Sequence, residues 1–142
     1  MQKTKYSIKE NKNFKNVSLY NKNINVEDIL NQQHTKHLDK SREKRLNLAI
    51  KLNEENGVQS TIDKIFVVDK CHKDGEELHC VSRKGIIFIL NKYKYENNIN
   101  SFITILIARP NQVERLYQDC NLKVDRRIIK YTQSNVANGY NK

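Results

Sequence analysis

The chain is 142 residues long, enough for one domain with a real core and too short for two comfortable ones. Its 26 Lys and Arg outnumber 16 Asp and Glu, and the resulting +10 favours phosphate-rich partners, because each neutralised phosphate releases condensed counterions. No apolar run approaches the roughly 18 residues of a membrane span, the start MQKTKYSIKENK lacks the apolar segment of a secretory signal, and three cysteines suit a reducing cytosol better than a disulfide framework.

Residues 1–25 are about half Lys and Asn, 12 of 25, and read as a flexible leader before a single domain over 26–142. A short helix is expected from Val26, capped by Asn25, with Glu27 and Asp28 favourable in its first turn. A second helix is predicted over Lys40–Asn56, capped by Asp39 or Ser41. Leu46, Ala49, Ile50 and Asn53 share one face of it, and Gly57 supplies a left-handed stop. Eighteen of the 39 Leu, Ile, Val and Phe then fall between Ile62 and Ile107. Four β-branched runs, Ile62–Asp69, Glu77–Ser82, Gly85–Asn91 and Ser101–Ala108, predict strands of an antiparallel meander. Gly75 and Gly85 serve the two tight turns, and Tyr93–Asn100 is expected as a polar loop. Ile86–Leu90 is apolar on both faces and is expected as a central strand covered on both sides. Helical spacing returns after Pro110, with Val113, Leu116 and Tyr117 on one face, and again over Val124–Asn138. The class predicted is α+β, with N-terminal helices on a four-stranded antiparallel sheet followed by C-terminal helices.

The densest polar cluster is Cys71-His72-Lys73-Asp74-Gly75-Glu76-Glu77-Leu78-His79-Cys80. A zinc reading meets an obstacle, because neighbours His79 and Cys80 on a strand point to opposite faces. A metal-free acid–base pair, His72 and His79 across a glycine turn, is the competing chemistry; two ordinary surface histidines are the plain alternative. In the second cluster, Thr104 interrupts an apolar strand and Arg109 closes that strand just before a helix. There a guanidinium beside unpaired helix N–H groups suits a phosphate or, equally, a salt bridge. Gln112 and Arg115 follow on the helix, and Arg126, Arg127 and Lys130 face solvent or phosphate on the last one. The cysteines read as structural.

The stretch VVDKCHKDGEELHCVSRKGIIFILN, followed by FITILIARPNQVERLY, resembles the phage-associated nuclease domains of the Barnase–EndoU–Colicin–RelE (BECR) superfamily over about residues 65–117, close to 40% of the chain. Those domains share a G-H-x-x-G-x-E-I-H motif, a G-I-I-x-I-x-N strand and a T-x-L-I-A-R-x-x-Q-x-x-R-Y segment. The resemblance implies an active site on the sheet and metal-independent RNA cleavage by attack of the ribose 2′-OH, with no cofactor. It also implies His72 and His79 as general acid and base, and Thr104 and Arg109 as the groups that orient and neutralise the phosphate. Gln112 and Arg115 match the helix positions. Cys71 stands where the pattern has glycine, and Leu116 is inserted in the final Arg-Tyr pair. Two functions are therefore expected. The first is a cytoplasmic ribonuclease of a bacterial or phage-infected cell, acting on tRNA or other structured RNA as a toxin or phage effector. Lys73, Gln112, Arg115, Arg126, Arg127 and Lys130 would hold the RNA, and an immunity or antitoxin protein is a possible partner. The alternative is a non-catalytic binding protein of the same fold, or a phage-encoded inhibitor of a host nucleic-acid system.

Overall fold

The β-branched runs of the middle third form the centre of the protein, as their composition predicts. The computed structural model describes residues 16–33, 40–70 and 75–141. In chain order these comprise β1 (Val17–Leu19), α1 (Val26–Gln33), α2 (Lys40–Leu52), β2 (Glu54–Glu55), β3 (Val58–Gln59), β4 (Ile62–Asp69), β5 (Glu76–Ser82) and β6 (Ile86–Asn91). They continue with α3 (Lys92–Glu96), β7 (Phe102–Ile107), α4 (Pro110–Asp119) and α5 (Arg126–Ala137). The class is α+β. One antiparallel sheet runs β1-β4-β5-β6-β7, and β2 and β3 make a separate hairpin.

Strand alternation divides the sheet's side chains between two cores. On one face Ile65, Val67, Leu78, Cys80, Ile86, Phe88 and Leu90 pack with Ile29 of α1 and Leu46 and Ala49 of α2. On the other, Phe66, Val81, Ile87 and Ile89 pack with Val113 and Tyr117 of α4 and Ile128 of α5. Residues 86–90 of β6 are all buried, the expected consequence of an apolar run covered on both sides. Each such side chain fully removed from water contributes roughly 1.5–3 kcal/mol. The first helix is capped as expected, its Glu27 N–H donating to Asn25 Oδ1 at 2.7 Å.

The sheet has five strands where four were expected. The additional one, Val17–Leu19, lies within the stretch read as a flexible leader; it pairs antiparallel with Val68–Phe66, and nearby Ile24 is buried. A three-residue strand carries no period of its own, so pairing along the open edge of β4 is what orders it. The second helix ends at Leu52, four residues short of its expected end. Asn56 and Gly57 both have positive φ (56° and 80°) and form the two-residue turn of the β2–β3 hairpin, not a helix stop. Asn53, buried behind that hairpin, donates to Gln59 Oε1 and to the Ser60 carbonyl. The first half of the expected loop 93–100 is instead part of the short helix α3, which Asn91 starts by accepting from the Lys94 N–H at 2.9 Å. Among the described residues, no helix is long and apolar enough to cross a membrane.

Candidate functional site

The geometry of interest begins with an irregularity in β7. Leu90 pairs with Phe102, but the next residue back, Ile89, pairs with Thr104, so Ile103 is an extra residue in the edge strand. A β-bulge of this kind changes which face the following side chains meet. Its effect here is to put Thr104 in one cross-strand row with Ile89, His79 and Phe66, on the face covered by α4 and α5. His79 and Thr104 are thereby brought to one surface, with Ile89 between them. Two interstrand spacings separate their backbones, about 10 Å.

His79 is oriented by its neighbour on the same face. Glu77, two residues earlier on β5, places Oε1 2.9 Å from His79 Nε2, and Lys70 Nζ lies 3.8 Å from the same carboxylate oxygen. A carboxylate only accepts, so the Nε2–H donates to it and Nδ1 is the ring nitrogen left for proton exchange. The histidine and glutamate side chains retain only 12% and 16% of their exposure, which strengthens the pair's electrostatics relative to water. Cys80 points the opposite way, into the core of α1 and α2, where burial drives its thiol far above the ordinary range. Strand alternation therefore sends His79 and Cys80 to opposite faces, and Cys80 packs as a core side chain.

Thr104 also lines a pocket of about 170 Å³ at the open edge of β7, together with Arg42, Arg45, Arg109, Gln112 and Asn141. The Arg42 guanidinium donates from Nη2 to the Ile103 carbonyl at 2.8 Å, tying α2 to the bulge. Gln112 turns its Oε1 back to the Arg109 backbone N–H at 2.8 Å, so the helix cap uses the acceptor of a residue expected to meet RNA. Arg109 itself is exposed at the first end of α4.

The other expected residues spread over two further places or lie outside the described chain. His72 and Lys73 belong to residues 71–74, outside the described segments. Arg115 is exposed on α4. Arg126 and Lys130 line an open groove between α4 and α5 with Lys123 and Glu114. Arg127 is committed locally: it donates through Nη2 to Asp125 at 2.9 Å, and with the bond from its backbone N–H holds that carboxyl down at about 2. The structure thus gathers Thr104, Arg109 and Gln112 in one pocket, sets His79 beside that pocket in the same row, and leaves Arg126 and Lys130 in a different groove.

Arg42 and Arg45 were not singled out by the sequence. A usable signal was present: each stands one helical turn before a buried residue of α2, Leu46 and Ala49, on the line of the buried stripe. A charged residue on that line has to emerge beyond the edge of the sheet. No family model, curated protein or solved structure matches this chain.

Proposed function

We propose that the protein is a metal-independent endoribonuclease of the BECR type, acting on tRNA or other structured RNA within a bacterial or phage-infected cell as a toxin or phage effector. The observation that carries this reading is the Glu77-held His79 in one sheet row with Thr104, beside an arginine-lined pocket. In the reaction a ribose 2′-OH loses its proton to a base and its oxygen attacks the adjacent phosphorus. The P–O5′ bond breaks, a 5′-OH leaves with a proton from the acid, and a 2′,3′-cyclic phosphate remains. His79 Nδ1 is the proton-exchanging group, with Glu77 stabilising the imidazolium that forms on accepting a proton. The Thr104 hydroxyl and the Arg109 guanidinium are suited to the phosphate oxygens, whose negative charge grows in the transition state.

A second reading, a non-catalytic RNA-binding protein of the same architecture, is favoured by one observation. The arginine pocket is lined without His79, and Ile89 separates the two. Incubating the purified protein with total bacterial RNA in EDTA, beside a folded His79→Ala variant, decides between them. Discrete fragments with 2′,3′-cyclic phosphate ends from the wild type, falling at least about a hundredfold in the variant, are expected for the nuclease. Intact RNA in both, with RNA retained by the protein, establishes the binding protein.

A further inference from the structure

We propose that the pocket at the β7 edge is a phosphate-anchoring subsite built by Arg42 and Arg45 of α2 and Asn141, distinct from the proton-exchanging pair on β5 and from the Thr104 and Arg109 groups suited to the reacting phosphate. That the phosphate belongs to an RNA strand rests on the ribonuclease reading; the preference for a phosphate group rests on the pocket itself.

The charged groups of the lining are all cationic, set beside an apolar wall of Leu46, Ile105, Leu106 and Ile107. Among the described residues, no Asp or Glu borders the pocket. Among the described residues, the guanidiniums of Arg45 and Arg109 meet no carboxylate. Gln112 has spent its oxygen on the helix cap, so its Nε2 is the end that remains. Asn141 presents a buried Nδ2 with no hydrogen-bond partner, a donor whose desolvation is uncompensated until an acceptor arrives. Arg42 is fixed in position by its bond to the Ile103 carbonyl. The positive end of the α4 dipole adds to the same field at Arg109. Planar guanidiniums and amide N–H groups lining one pocket, with no Asp or Glu among its described residues, match the acceptor-only oxygens of a phosphate. The neighbouring row of Thr104 and His79 puts the next unit of a longer polyanion within reach of the chemistry. The subsite therefore holds a phosphate flanking the one that reacts.

The test is equilibrium binding of a fluorescent single-stranded DNA oligonucleotide, which lacks the 2′-OH and stays intact, over a salt series. Arg45→Gln is expected to weaken binding about tenfold and to flatten the log–log salt slope by about 0.7, the share of one phosphate contact on a single strand. Lys44→Gln removes the same charge from an exposed position of α2 that does not line the pocket, and should change affinity by less than about twofold. Equal losses in the two variants, or an unchanged slope for Arg45→Gln, overturn the subsite. Inorganic phosphate is the second probe: displacement of the oligonucleotide only at high concentration supports a strand phosphate, whereas tight competition identifies a free-phosphate site and overturns the RNA assignment. RNA cleavage keeps the two proposals apart. A raised KM at unchanged kcat in Arg45→Gln supports the subsite, and unchanged KM and kcat refute it while sparing the nuclease. Intact RNA with the wild type refutes the nuclease but leaves a positive DNA-binding result in support of the phosphate anchor.

Discussion

Two regions of this protein hold clustered arginines in different electrical company. Where β4 meets α4 and α5, Arg83 Nη1 donates to Asp63 at 2.9 Å and its Nη2 lies 3.6 Å from Asp125, which also takes Arg127. The Tyr117 hydroxyl completes that corner by donating to the other oxygen of Asp63 at 2.6 Å, while its ring meets Phe66 edge-on. At the β7 edge, Arg42, Arg45 and Arg109 share a pocket with no Asp or Glu among its described lining residues. Both regions are basic in sequence. The first spends its charge on holding helices to the sheet, and the second keeps it for an outside anion. What separates a structural arginine cluster from a binding one is the missing counter-charge rather than the number of guanidiniums.

The largest loss is expected at the paired corner. Tyr117→Ala deletes a buried aromatic from the second core and strands Asp63 without one of its two partners. A stability loss of about 4 kcal/mol is expected in urea denaturation, with the DNA affinity of the surviving folded protein unchanged. Gly85→Ala attacks the seat of α5 without touching any charge. Gly85 has φ +77° and a Cβ there would lie 2.6 Å from Thr132 Cγ2, so a loss of about 2 kcal/mol is expected. Thr132→Ser, which removes that methyl and keeps the hydroxyl on the Ile129 carbonyl, should relieve part of the loss in a double-mutant cycle. Strict additivity of the two would show that the contact is not the source of the cost.

The smallest effect separates the two arginine clusters. Arg83→Gln should lower stability by about 0.5 kcal/mol, since its pair with Asp63 is partly exposed, and should leave oligonucleotide affinity intact. Arg45→Gln should do the reverse, changing affinity while leaving the urea midpoint in place. A loss of affinity in Arg83→Gln equal to that in Arg45→Gln would mean that binding follows net charge alone, and the distinction between the two clusters would fall.

Much of the fold is legible in local pattern. Ile62–Asp69 forms a strand at its expected bounds, the next two runs differ from theirs by one residue at one end, and the last is one residue shorter at each end. Those runs succeed because β-branched side chains alternating between two covered faces leave few other arrangements. The shortfalls are of two kinds. The Asn56-Gly57 turn was written in the sequence as a hairpin signal but competes with the helix-stop reading that a nearby glycine also invites. Strand β1, by contrast, has no local signature and exists through its register with β4.

The candidate site divides in the same way. His79, Thr104 and Arg109 were visible as polar residues placed where an apolar strand or its end makes them conspicuous. Their grouping was not, because it depends on a bulge at Ile103 that changes the face Thr104 meets, and nothing in FITILI announces that extra residue. Arg42 and Arg45 lie some sixty residues from the strand they flank, in a stretch that reads as an ordinary basic helix. The local pattern of the chain was enough for the α+β class, the four consecutive strands from β4 to β7, the cap of the first helix and the surplus of positive charge. Those properties follow from periods, side-chain volumes and backbone preferences that act within a few residues. The packing of distant segments settles which arginines meet a carboxylate, as Arg83 does, and which, like Arg45 and Arg109 among the described residues, do not, because counter-charge depends on distances between segments far apart in the chain.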